Sequence, residues 1–194
     1  MKKALVLLTF LALTAFLCIP AMAADTPFKT YVFSKKKVSK DWSPRKTVSI
    51  KENRALGLFN DRNKRYSSQT VLTIKDIPAQ SSVKVKFTMI YVGSWDSGGK
   101  LADRFIVSTA GGSELLNITE FPCLLENGDD NMPINNNGLV RVGERERAYW
   151  TQPLTFTIPT SEINEGEVKV KFRGYLTGRK TEFWAMDNVE LYLN

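Results

Sequence analysis

The chain carries 20 carboxylates and 27 basic residues but no histidine, so any chemistry it performs must do without an imidazole. A Ser–His–Asp relay lacks its base. A zinc centre lacks imidazoles and has too few thiols, because the only cysteines are Cys18 and Cys123. Cys123 sits in Phe121-Pro122-Cys123-Leu124-Leu125, and apolar surroundings raise a thiol pKa, which predicts inert buried filler rather than a nucleophile. Glycoside hydrolysis needs two carboxyls facing across a cleft. Glu144 and Glu146 share one face of an extended segment and cannot flank a substrate, while no spacing sets Glu120 opposite Glu182. A surface role is the simpler reading of each glutamate, and no catalytic residue is assigned.

Binding chemistry has more to work with. Trp95, Trp150, Trp184, Tyr91, Tyr149 and Tyr192 are many rings for a domain of this size, and sugar faces stack on such rings. A sandwich core also consumes large rings, so one or two are expected outside. Trp95 follows a strand end, and Tyr149-Trp150 follows the polar run Arg145-Glu146-Arg147, which marks Trp95 and Trp150 as the exposed candidates with Tyr149 beside them. Asp96 and Asp103 flank Gly98-Gly99 and are placed to hold that loop closed through backbone amides. Trp95, Asp96, Asp103, Tyr149 and Trp150 are therefore the candidate ligand-binding residues.

Charge is uneven along the chain. Residues 24–66 hold 12 basic and 4 acidic residues, whereas residues 67–194 hold 13 and 16. A positive end of that size could attract an anionic surface polymer such as an acidic polysaccharide or envelope phosphate. The plainer reading is a solvated, partly flexible N-terminal region that keeps the chain soluble. Nucleic acid is not expected, because an exported chain works in the wrong compartment for it. The Asn- and Gly-rich stretch 127–138 reads as an exposed loop, and its oxygens match no calcium-loop spacing.

The elements that must position these residues read as strands. From Ser82 to Val92, Val83, Val85, Phe87, Met89 and Tyr91 alternate with Lys84, Lys86 and Thr88, the period of a long half-buried strand. Glu167 to Tyr175 repeats the design, and shorter candidates are 30–33, 47–50, 70–74, 104–108, 115–119, 154–158 and 188–193. Pro78, Gly93, Gly98-Gly99, Gly111-Gly112, Pro153, Pro159 and Gly178 punctuate them. No helical spacing persists for three turns. The expected fold is all-β, an antiparallel β-sandwich. Ahead of it, Lys2-Lys3, an uncharged apolar stretch to Ile19 and Ala21-Met22-Ala23 form a signal peptide over residues 1–23. That leaves a single domain, 24–194, with a basic N-terminal region (24–66), exported to the periplasm or beyond. No later segment is apolar enough to span a bilayer.

Three pieces carry a resemblance: Leu56-Gly57-Leu58-Phe59, then Ser94-Trp95-Asp96 after the long strand, then Trp184-Ala185-Met186-Asp187-Asn188-Val189 at the close. Together they resemble secreted bacterial jelly-roll domains and are similar to carbohydrate-binding modules. Ser97 stands where glycine is usual after Trp-Asp, and Ala102 where proline is common. The resemblance implies a jelly-roll sandwich and a structural Ca²⁺ held by Asp187 with main-chain carbonyls of the opening strands. The competing role for Asp187 is to accept hydrogen bonds from the neighbouring chain. Gly57 between apolar residues predicts a bulge or a close backbone approach. The expected function is an exported, non-catalytic module that binds a glycan or another surface component through loop-end aromatics. A structural or adhesive envelope protein with protein partners is the alternative, and a small glycoside hydrolase the third.

Overall fold

The computed structural model describes residues 26–35, 37–98, 102–125, 133–134 and 136–194. The expected signal peptide and most of the 127–138 stretch lie outside the described residues. In chain order the strands are β1 (Lys29–Tyr31), β2 (Trp42–Ser43), β3 (Thr47–Ile50), β4 (Asn53–Phe59) and β5 (Gln69–Ile74). Next come β6 (Val83–Gly93), β7 (Arg104–Thr109), β8 (Glu114–Ile118), β9 (Leu124–Leu125) and β10 (Pro133–Ile134). The chain ends with β11 (Gly138–Val142), β12 (Arg145–Ile158), β13 (Val168–Tyr175) and β14 (Glu182–Leu193).

These strands build the expected antiparallel jelly-roll sandwich. The larger sheet runs β11-β12-β6-β14-β4-β3, with β1 adding to β14, and the smaller runs β2-β5-β13-β7-β8. β9 and β10 form a separate two-stranded antiparallel sheet. The long alternating strand read from the sequence, β6, is central, flanked by β12 from Tyr149↔Val92 to Ile158↔Val83 and by β14 on its other side. Val83, Val85, Phe87, Met89 and Tyr91 all point into the main core between the sheets, where they meet Trp42, Phe59, Phe105, Phe172 and Trp184.

β12 begins nine residues earlier than the sequence suggested, because Pro153 reads as a strand breaker. It is tolerated since β11 pairs only with Arg145 to Tyr149. Beyond that point β12 is a free edge, where a missing N–H costs no ladder bond. The basic N-terminal region is no loose extension either. β1 is zipped to β14, Tyr31, Phe33 and Trp42 are buried, and Tyr31 Oη donates to Asp41, which also takes Lys29 Nζ at 2.9 Å.

A second, smaller apolar core lies on the opposite face of the larger sheet. Ile50, Ala55, Leu58, Ile90, Val92, Val140, Tyr149, Phe183 and Ala185 form it. It exists because the sheet curls until its two edge strands, β3 and β11, approach each other. A Cβ at Gly138 would collide with the Lys51 side chain that crosses from the other edge. Strands buried on both faces read as continuous apolar runs rather than alternating ones. That is why Ala55 to Phe59, Met89 to Val92 and Phe183 to Met186 carry no polar residue. Gly57 makes the close approach its context predicted. Its φ is +149°, and a Cβ there would sit 2.7 Å from Ala185 Cβ, opposite a register shift in β14.

Candidate functional site

The rings expected at the surface are inside. Trp95 and Trp150 are each 2% exposed and Tyr149 is 6% exposed. Trp95 packs edge-on against Tyr91 and Phe121 at 5.1 and 4.8 Å, and its Nε1 donates to the Phe183 carbonyl at 2.9 Å. The reason is geometric: the segment after β6 folds back over the end of the main core, so Trp95 plugs the sandwich instead of projecting from it. Trp150 faces the main core, and Tyr149, one residue away, faces the second. Exposure of Trp95 and Trp150 is thus corrected, and neither offers a free ring face.

Asp103 does close its loop. Its carboxylate accepts the Asp96 and Thr177 amides, both at 2.8 Å, and its own N–H donates to the Asp96 carbonyl at 3.0 Å. Glu182, the first residue of β14, accepts from the Gly178 amide and from the Thr181 hydroxyl. One oxygen each from Asp96, Asp103 and Glu182 lie within 4.8 Å of one another. Asp103 and Glu182 are buried, and among the described residues no ion pair joins a basic side chain to any of the three. Burial, reinforced by the neighbouring carboxylates, raises the pKa of Asp103 and pushes Glu182 up to about 7. Three hard oxygen donors with uncompensated charge could hold a metal ion.

Asp187 is set apart from that cluster. Its Oδ1 accepts the Asn188 amide at 2.8 Å and the Phe33 amide at 3.4 Å, so it ties β14 to the chain leaving β1. It shares a depression of about 180 Å³ with Lys51 and Arg54. The bonds from Asn188 and Phe33 are those of the competing, hydrogen-bonding role. Cys123 behaves as its neighbours predicted: buried, with the thiol pushed up to about 12.

One depression, of about 630 Å³, lies beside Thr109, Glu162 and Lys169 at the smaller sheet, and others open where sequence reasoning placed no site. Two depressions, of about 610 and 410 Å³, open beside the second core and share Arg65 and Tyr66 as lining residues. The first has Phe183 and Val142 in its wall, the second Val48 and Leu58. The half-exposed Tyr66 ring meets Phe183 edge-on at 4.9 Å. Lys46, Arg65, Arg141, Arg145, Arg179 and Lys180 line these two adjoining depressions, together the trough, with Glu144 the one acid among the lining residues.

Buried Asn60 fixes two sides of that rim. Its Nδ2 donates to the Gly178 and Glu182 carbonyls, and its Oδ1 accepts the Arg62 and Asn63 amides at 2.8 and 2.7 Å. The loop bearing Arg65 and Tyr66 is thereby fastened to the turn bearing Arg179 and Lys180. Sequence reasoning missed Asn60, Tyr66 and this arginine group because they come together only through the curl of the sheet. The continuous apolar runs were the available signal, since they imply a second covered face.

Fold and site together define a two-sheet antiparallel sandwich with a basic, apolar-floored trough on its larger sheet. No known family model and no curated protein matches the chain. Two solved structures align with it at low similarity. PorU from Porphyromonas gingivalis aligns over 88% of this chain and 13% of its own, at 11% identity and a TM-score of 0.40. The CBM27-1 domain of Caldicellulosiruptor saccharolyticus, solved with mannohexaose, aligns over 88% of this chain and 85% of its own, at 14% identity and a TM-score of 0.35. Among the described residues no helix is long and apolar enough to cross a membrane.

Proposed function

We propose that this chain is an exported, non-catalytic sandwich that binds a glycan in the trough beside the second core. The observation that carries the reading is the trough itself. An apolar floor with a half-exposed tyrosine, framed by hydrogen-bonding side chains, is the surface a sugar ring requires. The residues differ from those the sequence singled out. Tyr66 and the surrounding arginines replace Trp95, Trp150 and Tyr149, whose rings are consumed by packing. A hydrolytic role fits less well. The clustered acids Asp96, Asp103 and Glu182 line none of the depressions described, so no cleft presents them to a substrate. We assign the structural Ca²⁺ implied by the resemblance to this acidic cluster rather than to Asp187.

The test is calorimetric titration of a polysaccharide panel. At least one glycan should bind the parent chain, and Tyr66→Ala should weaken it about tenfold, the loss of one stacked ring. Trp95→Phe should leave the affinity unchanged. A panel on which nothing binds, or binding that survives Tyr66→Ala, would remove the trough as the site.

A further inference from the structure

We propose that the trough takes an acidic polysaccharide, a chain whose sugar rings carry carboxylate or sulfate groups; this rests on reading the trough as a glycan site. Six basic side chains from separate segments converge on it: Lys46 ahead of β3, Arg65 in the loop after β4, Arg141 and Arg145 flanking the β11–β12 turn, and Arg179 and Lys180 before β14. All six are exposed. Among the described residues none of the six forms an ion pair, and Arg141 Nε donates to the Gly143 carbonyl at 3.2 Å. With Glu144 as the one acid lining the trough, six basic residues face one acidic residue in this concavity.

Like charges brought together in this way repel unless an anion answers them. Four of the six are arginines, whose planar forks pair with carboxylate and sulfate oxygens through two parallel hydrogen bonds. Concavity selects among polyanions. A single polysaccharide chain can lie along the floor with a sugar face on Tyr66 while its acidic groups reach the rim. A bilayer surface would touch only the rim, and stacked bases would need a row of exposed rings where the trough shows one.

The experiment measures binding of the full chain to polygalacturonate and heparin, with dextran and galactan as neutral polymers. Anionic phosphatidylglycerol vesicles and single-stranded DNA serve as other polyanions. One acidic polysaccharide should bind at least about tenfold tighter than either neutral polymer, and raising NaCl from about 50 to 500 mM should weaken it about tenfold or more. The pair Arg65→Gln and Arg179→Gln should lower affinity about tenfold or more, at roughly one charge-assisted bond per arginine. The charge-matched pair Lys75→Gln and Lys169→Gln, on the smaller sheet, should leave it unchanged; melting curves check that both variants fold. Equal or tighter binding of a neutral polymer would overturn the acidic class while leaving the glycan reading intact. Failure of every polysaccharide would overturn both. Vesicles or DNA bound as tightly as the best polysaccharide, or an equal loss in the lysine pair, would also overturn the proposal.

Discussion

Replacing Glu182 by glutamine should free the protein of a loss of stability that the parent chain suffers as pH rises. Glu182 is 3% exposed and faces Asp103 and Asp96. Burial first, then the neighbouring charges, move its carboxyl from 4.5 to about 7, against the Gly178 amide, which pulls the other way. Between those two values the native state holds a proton that the unfolded chain has released, so stability falls as pH rises through that window. At about 1.4 kcal/mol per pH unit, the gap amounts to about 3 kcal/mol, present below pH ~4.5 and gone above ~7. For a domain of this length that is roughly 6–12 °C in melting temperature. Glutamine keeps a carbonyl oxygen for the Gly178 amide and has no charge to desolvate. Asp103 is shifted in the same direction and titrates in both proteins, so the difference between them is the quantity to read. Urea unfolding in chelator, at about pH 5 and about pH 8, should show the parent losing about 2.5 kcal/mol more than Glu182→Gln, the part of the gap that lies between those two pH values. Adding Ca²⁺ at the higher pH should restore the parent and not the variant, because a cation bound only by the native state stabilises it. Parallel pH profiles for the two proteins would refute the placement of this carboxyl in a buried, like-charged cluster.

The remaining predictions probe the two cores and the thiol. Trp95→Phe removes the partner of the buried Phe183 carbonyl and should cost about 1–3 kcal/mol in urea unfolding. Because Trp42, Trp95, Trp150 and Trp184 are all buried, tryptophan emission should be blue-shifted in the free protein and change little when a glycan binds. Strong quenching would place a ring in the site. Gly57→Ala forces a Cβ against Ala185 at a positive φ and should destabilise by about 1–3 kcal/mol or more; a cost below about 0.5 kcal/mol would mean the strand relaxes freely. Cys123, with its thiol pushed up to about 12, should react with a thiol reagent only on unfolding, and rapid labelling of native protein would contradict its burial.

Local pattern was enough for the alternating strands β6 and β13 and their inward faces, whereas β4, β11 and the first halves of β12 and β14, which lack a clean two-residue alternation, were not read as strands. Alternation over Val83 to Tyr91 and over Val168 to Phe172 depends only on the two-residue period of an extended chain, and both segments sit as that period requires. Gly57, the buried thiol and the loop-closing Asp103 were equally legible, because each rests on neighbours in sequence or on one backbone restriction. Which rings would be exposed was not. Trp95 lies at a strand end in the sequence, but whether a strand-end ring plugs the core or leaves it depends on the return path of the next segment. The trough was hidden for the same reason. Lys46, Arg65, Arg141, Arg145, Arg179 and Lys180 span most of the chain, and only the curl that brings β3 towards β11, with Asn60 pinning two loops together, makes them neighbours. Sequence by itself determined the layers and their inward faces, since side-chain alternation is a property of each strand alone. Tertiary structure decided the site, since sheet curvature and loop docking set distances between residues that no local spacing relates.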